Sequence, residues 1–442
     1  MRRKCSAHTV HFRAIIRSSP DEPIQPESMK GVGTLASLTG AAAAAGTLLV
    51  LLRPDSQQSA ATKEQETGLS IEAYVEDTLG LRFKTTPEIH RVEPEVSLSR
   101  IEENLAAQFG PGGLARRSRA LELMGFHEFA GSSMREGLTA LQSTGVRGWL
   151  DERENQLLLP NDFNENEAED RSILHGLLAR LLVHQHSPMV IGRLSDDEWI
   201  TQSGLHSAIA ESLQATLREE SREAFELPTS LVTTREALLA SLPIYLAALG
   251  ELPQERGVAR IYLETRLRTK SRTLPGLIED PPQSTFELLG GDPSAIAPVT
   301  LPAPPVGQET QLEESLGALQ IQTLIEWIES YEQAQALALL WRGDRYRLFA
   351  NTSGDHLLWV CRWETEAAAI RAAEILSRRH EKPGAPRRCF SVIVHGKTTL
   401  LANCADDETL ESMTNLQWPT GTSWLPGHRD LLLSGGNLSS LR

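Results

Sequence analysis

The stretch RSILHGLLARLLVHQH at residues 171–186 decides the fold of the first half of the chain. It is the most apolar stretch after residue 52 and predicts a buried helix, which carries His175 among leucines. Two predicted short strands, residues 146–152 and 155–160, precede it, and a second predicted helix, residues 202–223, follows it. This order predicts a mainly helical domain.

Composition restricts the class of protein. The chain has 442 residues, of which 40% are hydrophobic and 5% aromatic, and its formal net charge is −15. These values are typical of an acidic globular protein that is large enough for two domains, and they exclude a small scaffold stapled by disulfides. Phosphate binding uses a clustered excess of Lys and Arg, which an acidic chain lacks. We therefore expect no nucleic-acid partner.

A membrane segment is predicted near the N-terminus. Residues 31–52 contain no charged side chain and, at about 1.5 Å per helical residue, are long enough to cross a hydrocarbon layer of about 30 Å. Basic residues precede this segment, so the positive-inside rule predicts that the bulk of the chain is exported to the periplasm or cell surface. We predict a transmembrane signal anchor; a cleaved signal peptide is the alternative. Residues 1–30 are then cytoplasmic or a mis-called start ahead of Met29, and residues 53–68 form a linker.

A proline-rich segment divides the exported part. Prolines cannot continue a helix, so residues 293–309 predict an extended connector. Residues 69–292 before it form the helical domain. Residues 310–415 after it predict a small α+β domain, in which a long helix at residues 310–339 precedes strands and two further helices. Residues 416–442 form a tail. The predicted fold class is α+β, behind an N-terminal transmembrane helix.

Two cysteines are placed opposite each other by a predicted hairpin. Residues 389–404 predict two strands around Gly396 and Lys397, with glycine first, as a type II′ turn requires. That register sets Cys389 opposite Cys404 at a hydrogen-bonded position, where Cα atoms are about 5.5 Å apart and a disulfide is strained. The sequence leaves open whether a disulfide joins them.

The apolar helix carries part of a zinc-binding pattern. A zinc peptidase helix reads His-Glu-x-x-His because the two histidines share a face and bind one Zn²⁺, while the glutamate activates the metal-bound water. A carboxylate from a later helix completes the protein ligands. Here the helix reads HGLLA from His175 to Ala179. The first histidine is present, whereas Gly176 replaces the glutamate and alanine replaces the second histidine.

Beyond this helix the chain resembles a family of exported zincin-like metallopeptidases. The family helix runs His-Glu-Leu-Thr-His-Ala-Leu-Gln-Asp-Gln after a hairpin with Gly-aromatic-Asp and Leu-Tyr-Leu segments. The matching segments here are GWLD at 148–151, LLL at 157–159, AIAES at 208–212, PPQSTFELL at 281–289, WRGDRY at 341–346 and RWE at 362–364. The resemblance covers roughly residues 69–413 and implies a zincin-like fold for the helical domain.

Carried over residue by residue, the resemblance places His175 at the first zinc ligand and Gly176 at the general base. Ala179 stands at the second ligand and Glu211 at the third. Even outer-shell changes cost about 10- to 100-fold in metal affinity or activity, so loss of an inner ligand and the base implies no bound zinc and no peptidase activity. The resemblance thus predicts a catalytically inactive envelope protein that binds peptide or envelope protein, in a scaffold role.

The alternative is a divergent zinc-dependent metallopeptidase with non-standard ligands. At about 100° per residue, His184 lies on the face opposite His175, and His186 lies about 16 Å further along the axis, beyond reach of one ion. His206, on the next helix, remains the candidate for an additional ligand. Without a metal, we expect His175 to be buried and hydrogen-bonded to Glu211.

Overall fold

The computed structural model describes residues 70–144, 147–189, 192, 194–220, 229–304, 307–381, 389–414 and 432–434. Over these residues the chain is α+β, with fifteen helices and two sheets. The predicted cytoplasmic segment, membrane anchor and linker, residues 1–30, 31–52 and 53–68, lie outside the described residues. In the part that is described, no helix is both long and apolar enough to cross a membrane.

The helices that precede the connector include the two predicted at residues 171–186 and 202–223, which are α5 and α6. In chain order they are α1 (Ile71–Leu79), α2 (Pro94–Phe109), α3 (Gly113–Met124), α4 (Met134–Ser143), α5 (Ala168–His186), α6 (Asp196–Glu220), α7 (Thr229–Ser241), α8 (Ile244–Glu251), α9 (Val258–Arg268), α10 (Leu274–Glu279) and α11 (Thr285–Leu288). Helices α7 and α8 are separate because Pro243, which lies between them, has no N–H to continue the helical hydrogen bonds.

A small sheet lies beside these helices. Its strands are β1 (Glu88–Val92), β2 (Trp149–Asp151) and β3 (Gln156–Pro160), in the order β1-β3-β2. The pair β2 and β3 is antiparallel, which confirms the predicted hairpin, and β1 runs parallel to β3. Asn155, with φ 54°, lies in the turn of the hairpin.

The part of the chain after the connector forms an antiparallel sheet with helices. Its elements are β4 (Glu309–Glu314), α12 (Ala318–Glu326), α13 (Tyr331–Ala338), β5 (Trp341–Asn351), β6 (Gly354–Trp363), α14 (Glu366–Glu381), β7 (Cys389–His395), β8 (Thr398–Cys404), α15 (Asp407–Thr414) and β9 (Leu432–Ser434). The strand order is β4-β5-β6-β8-β7-β9. The edge strand β9 comes from the predicted tail, so the sheet extends beyond residue 415.

The prediction of a single long helix at residues 310–339 is wrong. The structure has β4 there instead, followed by two short helices. β4 pairs with β5, and Glu313 of β4 receives a hydrogen bond from Arg347 of β5 at 2.6 Å. Gly317, with φ 91°, separates the strand from α12, and Ser330 begins α13 with a capping box. Pairing with a distant strand therefore overrode the local preference for a helix.

One hydrophobic core extends from the helices onto one face of the large sheet, from Val75 in α1 to Leu401 in β8. The opposite face of the sheet has a second core, in which Leu358 of β6 packs with Leu301 of the connector and Met413 of α15. Helix α3 packs on the sheet although it comes from the first part of the chain. The division into two domains at residues 293–309 stays a prediction.

The two cysteines face each other as the turn predicts. Cys389 of β7 is the register partner of Cys404 of β8, and Gly396 in the turn has φ 53°. Sγ of Cys404 lies 3.5 Å from Sδ of Met413. The disulfide that the sequence leaves open stays an open alternative.

Candidate functional site

The predicted site residues lie along the contact between α5 and α6. Gly176 of α5 contacts Gln214 of α6. Eight residues further along α5, His184 lies close enough to His206, eight residues earlier in α6, to affect its pKa. The two helices therefore run antiparallel, and these two contacts define which residues of α5 and α6 lie at the same level.

His175 is buried in the helix that was predicted to carry it. Its side chain is 2% exposed, and Nδ1 lies 2.7 Å from the carbonyl oxygen of Arg171, one turn earlier. Since a carbonyl only accepts, Nδ1 carries the hydrogen and Nε2 has the lone pair. The edge of the ring packs against Tyr74 of α1, with the ring centres 5.4 Å apart. This hydrogen bond within α5 orients the ring as in many metal-binding histidines, through the nitrogen that does not bind the metal.

Gly176, the position predicted for the general base, packs closely against another side chain. A Cβ atom built on Gly176 would lie 2.0 Å from Nε2 of Gln214 and 2.8 Å from its Cγ. Real Cβ atoms do not approach this closely, so any side chain at residue 176 requires Gln214 to move. The structure thus explains the glycine, which destabilises a helix by roughly 0.5–1 kcal/mol relative to alanine, by the close approach of α6.

The other two positions predicted for zinc ligands, residues 179 and 211, lack the surroundings that a zinc site needs. Ala179 is fully buried and has no atom that could bind a metal. Glu211 is half-buried, and its Oε1 accepts a hydrogen bond from Nε2 of Gln254 at 3.1 Å. Its charge also acts on Arg235 of α7, where it raises the pKa of the guanidinium against the larger lowering caused by burial. Next to Ala179, Arg180 pairs with Glu152 at 3.3 Å.

His206 lies with His184, at a different level from His175. Eight helical residues correspond to about 12 Å, so His206 is that far along the axis from the level of Gly176 and Gln214. Burial lowers the pKa of His184, and it lowers that of His206 to about 3, which leaves His206 neutral. Nδ1 of His184 and Nε2 of His206 are buried without a hydrogen-bond partner among the described residues. His206 therefore adds no ligand beside His175.

Across the residues that the structure covers, no three His, Cys, Asp or Glu side chains are grouped so that they could hold a metal ion. Near the site, α1, α6, α9 and α10 border a small apolar cleft that is partly open to solvent. The cleft is lined by Thr78, Leu79, Ile209, Ser212, Leu213, Leu263, Leu267 and Leu274. It has room for about one water molecule, which is far less than the volume of a ligand pocket.

Comparison of the chain with known protein families, with characterised proteins and with solved structures found no match. The α+β class is thus established by the structure itself.

Gln214 is the residue of this site that the sequence reasoning missed. The available signal was Gly176, because a glycine in the middle of a buried helix indicates close approach of a neighbouring element. That signal does not say which residue approaches. To identify Gln214 one must know which residues of α6 lie beside which residues of α5, and the sequence does not provide this alignment.

Proposed function

We propose that this chain is a catalytically inactive relative of zincin-like metallopeptidases with a binding or scaffold role in the cell envelope. The observation that supports it most strongly is the packing of Gln214 against Gly176. A peptidase of this type needs a carboxylate at residue 176 to activate the metal-bound water. Here the volume for that carboxylate is occupied, in addition to the loss of the second histidine at Ala179.

In this proposal residues 31–52 anchor the protein in the membrane and the rest of the chain is exported. The uncharged segment and the basic residues before it support this orientation. The partner in this proposal is a peptide or an envelope protein.

The alternative, a divergent zinc-dependent metallopeptidase, is favoured by one observation. The hydrogen bond from Nδ1 of His175 to Arg171 leaves Nε2 as the nitrogen with the lone pair, as in a zinc-binding histidine. With Glu211, this histidine makes two protein ligands, one fewer than catalytic zinc sites have.

Metal analysis of the purified whole chain distinguishes the two proposals. We expect far less than one zinc per chain after dialysis against zinc-containing buffer, and no difference between wild type and His175→Ala. His186→Ala is the matched control, since His186 lies on the same helix and its Nε2 forms a hydrogen bond with the carbonyl oxygen of Arg82, away from His175. About one zinc per chain that is lost in His175→Ala and retained in His186→Ala would establish the alternative.

Peptide binding tests the proposed role. The probes are two fluorescein-labelled decapeptides that differ only by a central leucine or aspartate, and the measurement is fluorescence anisotropy. We expect the chain to bind the leucine peptide more tightly than the aspartate peptide, because an apolar side chain gains free energy when it leaves water. Equal affinity for both peptides would count against a peptide-binding role.

A further inference from the structure

A second group of buried polar side chains lies where α6 meets the large sheet, and we call it the Arg117 cluster. It joins five helices and strands that come from both sides of the connector. Its members are Arg117 of α3, Asp196 and Asp197 of α6, Thr285 of α11, Glu314 of β4, and Asp344 and Tyr346 of β5.

Arg117 is the guanidinium at the centre of the cluster, and it is 5% exposed. Its Nε lies 2.7 Å and 2.9 Å from the two carboxylate oxygens of Asp196, and its Nη2 donates to Oε1 of Glu314 at 2.9 Å. The hydroxyl of Tyr346 donates to Asp196 at 3.1 Å. One guanidinium therefore holds α3, α6 and β4 together.

The other two carboxylates bind backbone and side-chain donors. Oδ1 of Asp197 accepts from the N–H of Thr285 at 3.1 Å and from its hydroxyl at 2.5 Å. Asp344 accepts three N–H donors at 2.8 to 3.0 Å, from Leu316, Gly317 and Trp359. No Arg or Lys pairs with Asp197 or Asp344 among the contacts of the described residues.

Negative charge exceeds positive charge inside the cluster. Among the contacts of the described residues, Arg117 pairs with Asp196 and Glu314 but not with Asp197 or Asp344, and burying an unpaired charge is costly. Burial raises the pKa of Asp197 to about 7. Burial, reinforced by the charge of Asp196, likewise raises the pKa of Glu314 to about 7.

Every charged neighbour contributes to this balance. Glu314 is faced by Asp196, Arg117 and Arg345. Asp197 is faced by Asp344 and Glu198. Tyr245 and Tyr346 lie near Arg117 and Asp196. The carboxylates among them oppose ionisation of Asp197 and Glu314, while Arg117 and Arg345 favour it only for Glu314.

We propose that the Arg117 cluster is a proton-dependent clasp between the helices and the large sheet. The clasp is closed while Asp197 and Glu314 carry protons. The negative charge of the cluster is then smallest and is closest to the single positive charge of Arg117. When both carboxylates ionise, their mutual repulsion and the repulsion from Asp196 and Asp344 weaken the contacts of α6 with α11 and β4.

The sign of the pH dependence follows from linkage. In the unfolded chain Asp197 and Glu314 ionise near their ordinary values of 3.8 and 4.5, whereas in the folded protein they hold their protons up to about pH 7. The unfolded state therefore releases protons first, and the stability contributed by these two groups is lost as the pH rises from about 4 to 7. Above that range their contribution is constant.

Thermal unfolding of the whole chain at pH 5 and pH 7.5 tests the clasp. Asp197→Asn and Glu314→Gln keep the shape of the side chains but cannot ionise. The quantity compared is the thermal midpoint of the variant minus that of wild type. We expect this difference to be about 2–4 °C larger at pH 7.5 than at pH 5 for each variant. Glu332→Gln, at an exposed carboxylate of α13 outside the cluster, is the control and should show the same difference from wild type at both pH values. Equal pH dependence of wild type and both cluster variants would overturn the proposal.

A second measurement covers the case in which a variant does not fold. In wild type, the backbone amides of Thr285 and Gly317 donate to Asp197 and Asp344. After correction for the intrinsic pH dependence of exchange, we expect hydrogen–deuterium protection at these amides to fall several-fold between pH 5 and pH 8. Unchanged protection there would also overturn the clasp.

Discussion

Helix α6 takes part in two buried polar regions that differ in how well their groups are paired. At its first residues, Asp196 and Asp197 receive hydrogen bonds from three other elements. Ten residues after Asp196, His206 is equally buried, yet its Nε2 has no partner among the described residues. Unpaired buried polar groups cost free energy, whereas paired ones tie elements together. The difference indicates that the fold depends on the Arg117 cluster, while the polar groups between α5 and α6 are dispensable for it.

The largest effect should come from the paired region. Arg117→Leu leaves the carboxylates of Asp196 and Glu314 buried without their cation, so we expect the free energy of unfolding at pH 8 to fall by about 3–5 kcal/mol. Urea unfolding followed by circular dichroism measures it. The control is Arg135→Leu in α4, which removes an arginine with a 60% exposed side chain from a surface ion pair, and it should cost less than about 1 kcal/mol. Similar losses for both variants would remove the contrast between the regions.

The next effect concerns the contact of α5 with α6. Gly176→Ala should destabilise the protein by about 1–3 kcal/mol, because the new Cβ overlaps Gln214. In an exposed helix the same change would stabilise by about 0.5–1 kcal/mol, so the sign of the effect is informative. The double variant Gly176→Ala with Gln214→Ala should recover most of the loss. A stabilising single variant would show that Gln214 does not occupy the position of the base.

Two buried histidines provide a matched test of pairing. His206→Leu removes an unpartnered ring nitrogen, so we expect stability to rise by about 1 kcal/mol. His380 of α14 is also buried, but its ring nitrogens lie 2.9 Å and 3.0 Å from the carbonyl oxygens of Leu376 and Leu123, so its single N–H donates a hydrogen bond to one of them. His380→Leu should therefore lower stability by about 1 kcal/mol. Chemical denaturation at pH 7.5 compares the two, and opposite signs from those expected would contradict the pairing argument.

The smallest effect is expected at the third ligand position. Glu211→Gln keeps an oxygen that accepts from Gln254 and removes only the charge near Arg235. We expect a change in the free energy of unfolding below about 1 kcal/mol. A loss comparable with that of Arg117→Leu would mean that the contacts of Glu211 also maintain the fold.

Much of the fold could be predicted from local patterns. The apolar run of α5, the hairpin of β2 and β3, and the hairpin that pairs Cys389 with Cys404 each follow from residues close in sequence. The error at β4 has the opposite origin. Glu313 lies in a strand because it pairs with β5, whose Arg347 is more than thirty residues later, and no local pattern reports that pairing.

For the candidate site, the sequence predicted which residues belong to it but not which residues they contact. The spacing of His175, Gly176 and Ala179 indicated what is missing from a zinc site, but it did not predict that Gln214 fills the space. The Arg117 cluster was not predicted at all. Its residues are spread over the 229 positions from Arg117 to Tyr346 and include ordinary acidic residues, so only the folded chain brings them together.

The short strand β9 affects how the protein can be produced. It pairs with β7 through Val392 and Ile393 and so covers the edge of the large sheet. A chain that stops at residue 415 would expose this edge and its branched aliphatic residues. Exposed edges of that kind recruit further strands from other molecules, so a shortened protein would self-associate and lose solubility. Expression of the chain for biophysical work should therefore retain the C-terminus through Ser434.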